Sequence, residues 1–144
     1  MLARKLLLLV IVIATMASCV TKKDLLAEPV KDLNAQWRIQ TVTRNSTDIT
    51  QFIDSAGFRL TLQADNTYTL TGNNIPFLVN SAAGKWASDD PQYPYNIMFT
   101  PTDSSKAFSG SIATPASRGL RTLSITFSPG CHSNTYVYTF EKVY

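Results

Sequence analysis

The sequence predicts an all-β domain: an antiparallel meander of eight or nine strands closed into a barrel, with a two-sheet β-sandwich as the alternative. Three observations lead there. From Trp37 onward apolar residues recur with a period of two, which collects them on one face of a strand. Clusters of Pro, Gly, Asp and Ser interrupt the alternation every 8 to 12 residues or so, the spacing of turn signals in sandwiches and barrels. A meander with one apolar face also leaves two raw edges, and closing the sheet pairs both.

In chain order, Trp37, Ile39 and Thr41 alternate with Arg38, Gln40 and Val42, and Phe58, Leu60 and Leu62 alternate with Arg59, Thr61 and Gln63. Asp65-Asn66 then supplies residues that tolerate a tight hairpin turn, after which Tyr68 and Leu70 resume the phase. Further strands are expected at "IPFLV", where Pro76 demotes the segment to an edge, and at "GKWAS", "YNIMFT", "AFSGSIA", "LRTLSITF" and "TYVYTFEKVY". These place Trp86, Ile97, Phe99, Phe108, Ile112, Leu123, Ile125, Phe127, Tyr136, Tyr138 and Phe140 in the inward phase. Bulky residues dominate that set. A barrel of about eight strands has room either for its own side chains or for one small ligand, and the bulk favours a filled interior.

The first residues follow another rule. Arg4 and Lys5 precede an apolar run from Leu6 to Met16, and the small residues Ala17 and Ser18 come next, the order of a secretory signal peptide. The run falls short of the roughly 20 residues a spanning helix needs. Met16-Ala17-Ser18-Cys19 resembles the lipobox of bacterial lipoproteins. That resemblance implies cleavage before Cys19, acylation of its sulfur and amino group, and anchoring in a membrane by several chains. Each buried methylene is worth about 0.8 kcal/mol, and a second chain makes anchoring stable. Val20 in place of aspartate implies the outer membrane for a Gram-negative lipoprotein, on either its periplasmic or its surface face. The expected organisation is a leader over residues 1–18, a charged tether over 19–32 and one β domain over 33–144.

Composition narrows the function classes. Of 13 basic residues, Arg4 and Lys5 belong to the leader, which leaves 11 against 10 acidic ones. Such a balance gives no electrostatic footprint for nucleic acid. The chain has 2 cysteines, so lipidation of Cys19 leaves Cys131 no intramolecular partner and rules out a disulfide-framed fold. A hydrophobic core must then carry the domain.

Over most of residues 33–144 the chain also resembles the lipocalin-like lipoproteins of unknown function found in Bacteroidetes. The resemblance rests on Leu33-Asn34-Ala35-Gln36-Trp37-Arg38-Ile39, Asp48-Ile49-Thr50, Phe58-Arg59-Leu60-Thr61-Leu62 followed by Asp65-Asn66-Thr67-Tyr68-Thr69, then Pro76-Phe77, Gly84-Lys85-Trp86 and Asp89-Asp90-Pro91-Gln92-Tyr93-Pro94. It implies a small lipocalin-like antiparallel barrel on a lipid anchor. Asp54-Ser55-Ala56 matches a short O-glycosylation motif of the same bacteria.

Chemistry is sparse. His132, the 1 histidine of the chain, neighbours Cys131 in a turn-like segment, where a nucleophile–base pair or half a metal site is conceivable. Sequence neighbours rarely face one another, however, and no further ligands stand at metal spacing. Asp89-Asp90 reads better as a turn before Pro91 than as a glycosidase carboxylate pair, because adjacent strand residues point to opposite faces. No Gly-x-Ser-x-Gly, phosphate-cradling glycine loop or His-x-x-x-His occurs. The expectation is a non-enzymatic protein without cofactor or metal. A binding site is expected at Trp86, Tyr93 and Tyr95 with Asp89 and Asp90, since aromatic faces beside polar groups suit a small apolar ligand or a glycan. A structural or accessory subunit with an envelope protein partner is the alternative.

Overall fold

The computed structural model describes residues 31–72, 82–103, 106–117, 120–130 and 133–144. The leader, Cys19, the segment expected as a strand at 75–79 and the Cys131-His132 pair lie outside the described residues. Among the described residues ten strands follow in order: β1 Ala35–Arg44, β2 Thr47–Asp48, β3 Arg59–Leu62, β4 Thr67–Thr71, β5 Ala83–Ser88, β6 Asn96–Pro101, β7 Phe108–Ala113, β8 Ala116–Ser117, β9 Leu120–Phe127 and β10 Tyr136–Lys142. A short 3-10 turn, Thr50–Phe52, interrupts the connection from β2 to β3.

The sheet closes. Its path runs β10-β1-β3-β4-β5-β6-β7-β9, and β9 pairs back onto β10, which gives an eight-stranded antiparallel barrel. Closure therefore rests on β10, which pairs with β1 from Trp37↔Lys142 to Arg44↔Tyr136 and with β9 from Tyr136↔Phe127 to Glu141↔Thr122. Two-residue ladders attach β2 to β1 and β8 to β9. The turn from β1 to β2 has φ of 48° at Asn45 and 66° at Ser46, the left-handed pair that a two-residue hairpin requires. The hairpin from β3 to β4 likewise turns on Asn66, at φ 63°, with Asp65 accepting from the Thr67 amide and hydroxyl.

The interior is built by the inward phase. Leu60, Leu62, Tyr68, Ile97, Phe99, Leu123, Ile125, Tyr138 and Phe140 are fully buried, and Leu70 and Phe108 pack against them. A chain of ring contacts crosses from strand to strand: Tyr68 meets Phe99 edge-on at 5.1 Å, Phe99 stacks on Phe108 at 6.1 Å, and Phe108 meets Phe127 edge-on at 4.8 Å. It continues through Phe127 and Tyr138 at 5.5 Å to Phe140, and from Phe140 to Phe58 at 6.2 Å. Each such pair is worth about 0.5–1.5 kcal/mol beyond its buried area. Burial also pushes the Tyr138 phenol well above the usual tyrosine range.

One expectation is corrected. The alternation holds through Ile39, but the pairing of β1 with β10 then shifts register between Ile39 and Thr41. This bulge inserts an extra residue, so Val42 turns inward and is fully buried, while Thr41 stays half-buried. Thr41, read from the alternation as sharing a face with Trp37 and Ile39, gives way to Val42.

Outward positions carry a polar, mostly uncharged wall, with Thr61 opposite Thr69, Lys85 opposite Thr100 and Ser124 opposite Thr139. A barrel that spans a bilayer needs an apolar band on that face. The apolar face here is the inner one, so the wall faces water.

Candidate functional site

Strand directions alternate around the barrel, so its two ends are made by different connections. One end gathers residues 31–34, the hairpin at 63–66, the loop at 89–95, the β8–β9 hairpin and the C-terminal residues. The other gathers residues 45–58 and the ends of β4, β5, β6, β7, β9 and β10 that lie toward them. The expected site residues Trp86, Asp89, Asp90, Tyr93 and Tyr95 belong to the first end, on β5 and the loop after it.

The chain enters the first end as a strap. Lys31 donates its backbone N–H to the Pro91 carbonyl at 3.2 Å, and Leu33 is buried in the core. The Trp37 indole N–H donates to the Leu33 carbonyl at 3.0 Å, which ties the entry to the first turn of β1. Across from the strap, the Trp86 indole N–H donates to the Gln63 carbonyl at 3.2 Å and its backbone N–H to Asn66 at 2.8 Å. Between strap, hairpin and β5 lies an open hollow of about 480 Å³, lined by Leu33, Asn34, Asn66, Trp86, Ser88 and Pro91 among others. Within the 300–1,000 Å³ or so of ligand pockets generally, it is a small one. Asn34 Oδ1 is buried and has no hydrogen-bond partner among the described residues. A buried acceptor left so costs about 1–3 kcal/mol.

The two aspartates hold the loop. Asp89 Oδ1 accepts from the backbone N–H groups of Asp90, Tyr95 and Asn96 at 3.1, 2.9 and 2.9 Å, and its Oδ2 accepts from the Asn96 side-chain amide at 2.9 Å. Asp90 Oδ1 accepts from the amides of Gln92 and Tyr93 at 2.7 and 2.8 Å. The Asn96 amide, then that of Tyr95, keep Asp89 below the ordinary carboxylate value of 3.8. Carboxylates so engaged shape a turn. Tyr93 and Tyr95 stand exposed on that turn. Of the five expected residues, Trp86 lines the hollow, and Asp89 borders a smaller depression of about 320 Å³ with Met98 and Ser109 on the outer wall.

The strap residue Asn34 and the turn residue Asn66 had no signal in the sequence as site residues. Asn34 directly precedes the first strand and stands at the start of the β domain. Among the described residues no three His, Cys, Asp or Glu side chains gather as metal ligands.

Residues 15–141 match a family model described as a domain of unknown function, DUF5004, and the chain belongs to that family. No curated protein and no solved structure matches it.

Proposed function

We propose that this chain is a lipoprotein of the bacterial cell envelope, held at the outer membrane by acyl chains on Cys19, whose barrel binds a glycan or small ring-bearing ligand at its rim and performs no catalysis. The observation that carries the binding reading is the hollow at the strap, whose lining includes Asn34 and Trp86. A sugar or similar molecule has what both need: hydroxyl donors for the amide oxygen and an apolar face for the indole. The bulky side chains buried inside the barrel direct the ligand to the rim. Support for the anchor is the leader followed by Met16-Ala17-Ser18-Cys19, a stretch that the family match includes. The lipocalin-like lipoproteins of Bacteroidetes remain its proposed kin.

The test is retention on a glycan and small-metabolite panel by the intact lipoprotein beside a Trp86→Leu variant. Binding by the parent and its loss in the variant supports the reading, and a parent that retains nothing removes it. A second reading, an accessory subunit of an envelope assembly, draws on the bulky buried core and on Met98 exposed beside the wall depression. Crosslinking in intact cells that captures the chain through Met98 would favour it.

A further inference from the structure

Among the described residues, exposed apolar side chains are unevenly placed on this barrel. Tyr93 (58% exposed), Tyr95 (69%), Leu120 (52%) and Tyr144 (89%) all stand at the end where the strap enters. Leu120 sits at the tip of the β8–β9 hairpin, and β9 runs on past its pairing with β7, which ends at Ala113↔Ser124. Among the described residues the opposite end exposes one large hydrophobic side chain, Phe52.

Tyrosines of this kind are amphipathic, with a ring that leaves water and a hydroxyl that stays in it, which suits the boundary between headgroups and acyl chains. Resting on the anchor reading above, we infer that the barrel stands end-on against the bilayer, with Tyr93, Tyr95, Leu120 and Tyr144 seated in the headgroup layer. The occupant of this end is therefore a lipid surface. Chain length argues the same way. Residues 20–30 separate Cys19 from Lys31, whose amide is bonded to Pro91 in the loop that bears the two tyrosines. At 3.3–3.6 Å per residue that segment reaches at most about 40 Å. The strap end meets a bilayer in any conformation of the segment. The far end meets it only if the segment turns back along a wall about 20 Å high, the length of strands this size, which takes up about half of that reach.

Charge contributes little. Lys31, Arg121 and Lys142 at this end stand among Asp32, Asp65, Asp89 and Asp90, so contact rests on the rings and is insensitive to salt. The rim hollow opens beside the same loop, at headgroup depth.

The test uses the full chain, processed in a bacterial host and reconstituted into phosphatidylethanolamine–phosphatidylglycerol vesicles with brominated acyl chains. A tryptophan is introduced by Tyr95→Trp in one variant and by Phe52→Trp in another, both exposed positions outside the core, and parental emission is subtracted. At least about threefold stronger quenching at position 95 than at 52, unchanged in about 0.5 M salt, is expected. Equal quenching, or none at either position, in protein that sediments with the vesicles and carries acylated Cys19 overturns the orientation and leaves the anchor standing. An unmodified Cys19 overturns both.

Discussion

The ring of Tyr68 occupies the space that a side chain on Gly84 would fill. The two are cross-strand partners in β4 and β5, and a Cβ at position 84 would lie 2.6 Å from the Tyr68 ring and 2.3 Å from the Thr100 carbonyl oxygen. Gly110 repeats the device across from β9, where a Cβ would come 2.8 Å from the Thr126 carbonyl. Glycines within strands mark such close approaches, and they let a sheet coil tightly enough to close.

Gly84→Ala is therefore expected to cost about 2–4 kcal/mol, at or above the usual range for an overpacked core. Tyr68→Ala costs about 3–5 kcal/mol by the cavity it leaves. Because the Thr100 carbonyl is backbone, the double variant is not rescued. Urea denaturation measures all three, and recovery of stability in the double variant would show that the ring alone imposes the glycine.

The bulge in β1 gives a second contrast. Val42→Thr buries a hydroxyl and is expected to cost about 1–3 kcal/mol, whereas Thr41→Val changes stability by under about 0.5 kcal/mol. A strict period of two predicts the reverse order.

That reversal shows where the sequence stops being legible. Alternation placed Trp37 through Phe140 on the inner face because a strand's side chains have no other period, and Asp65-Asn66 marked its turn because few residues accept a positive φ. A bulge adds one residue without any residue type of its own, so Val42 could not be read. The ladders of β2 and β8 are two residues long, shorter than any pattern. The hollow was out of reach for a related reason. It joins residues 31–34, 64–66 and 86–91, and the bond that brings strap and loop together runs from one backbone group to another, which every sequence offers.

Loop rigidity is expected to depend on pH through Asp89. Its folded carboxyl is held below 3.8, so the ionised form is favoured in the native loop. The contribution is complete above the unfolded value and is lost as pH falls through the lower, folded one. Hydrogen-exchange protection of the Tyr95 and Asn96 amides should hold at neutral pH and decline below about pH 4. Asp89→Asn should lower it at neutral pH, where the parent carboxylate is ionised. Protection in that variant equal to the parent's would mean that the loop is held by other contacts.

In the hollow, Asn34→Ala removes a buried unpartnered acceptor and is expected to leave the domain's stability equal or slightly raised, while weakening any ligand found on the panel by about tenfold, the loss of one hydrogen bond. Isothermal titration of the two proteins separates these effects. A loss of stability without a change in affinity would make Asn34 a packing residue.

The account as a whole depends on the state of one sulfur atom. The most direct measurement is the mass of the N-terminal peptide of the processed protein taken from cell membranes. The account predicts a peptide that begins at Cys19 and carries diacylglyceryl and acyl groups. A peptide that begins elsewhere, or a Cys19 with a bare thiol, would contradict it.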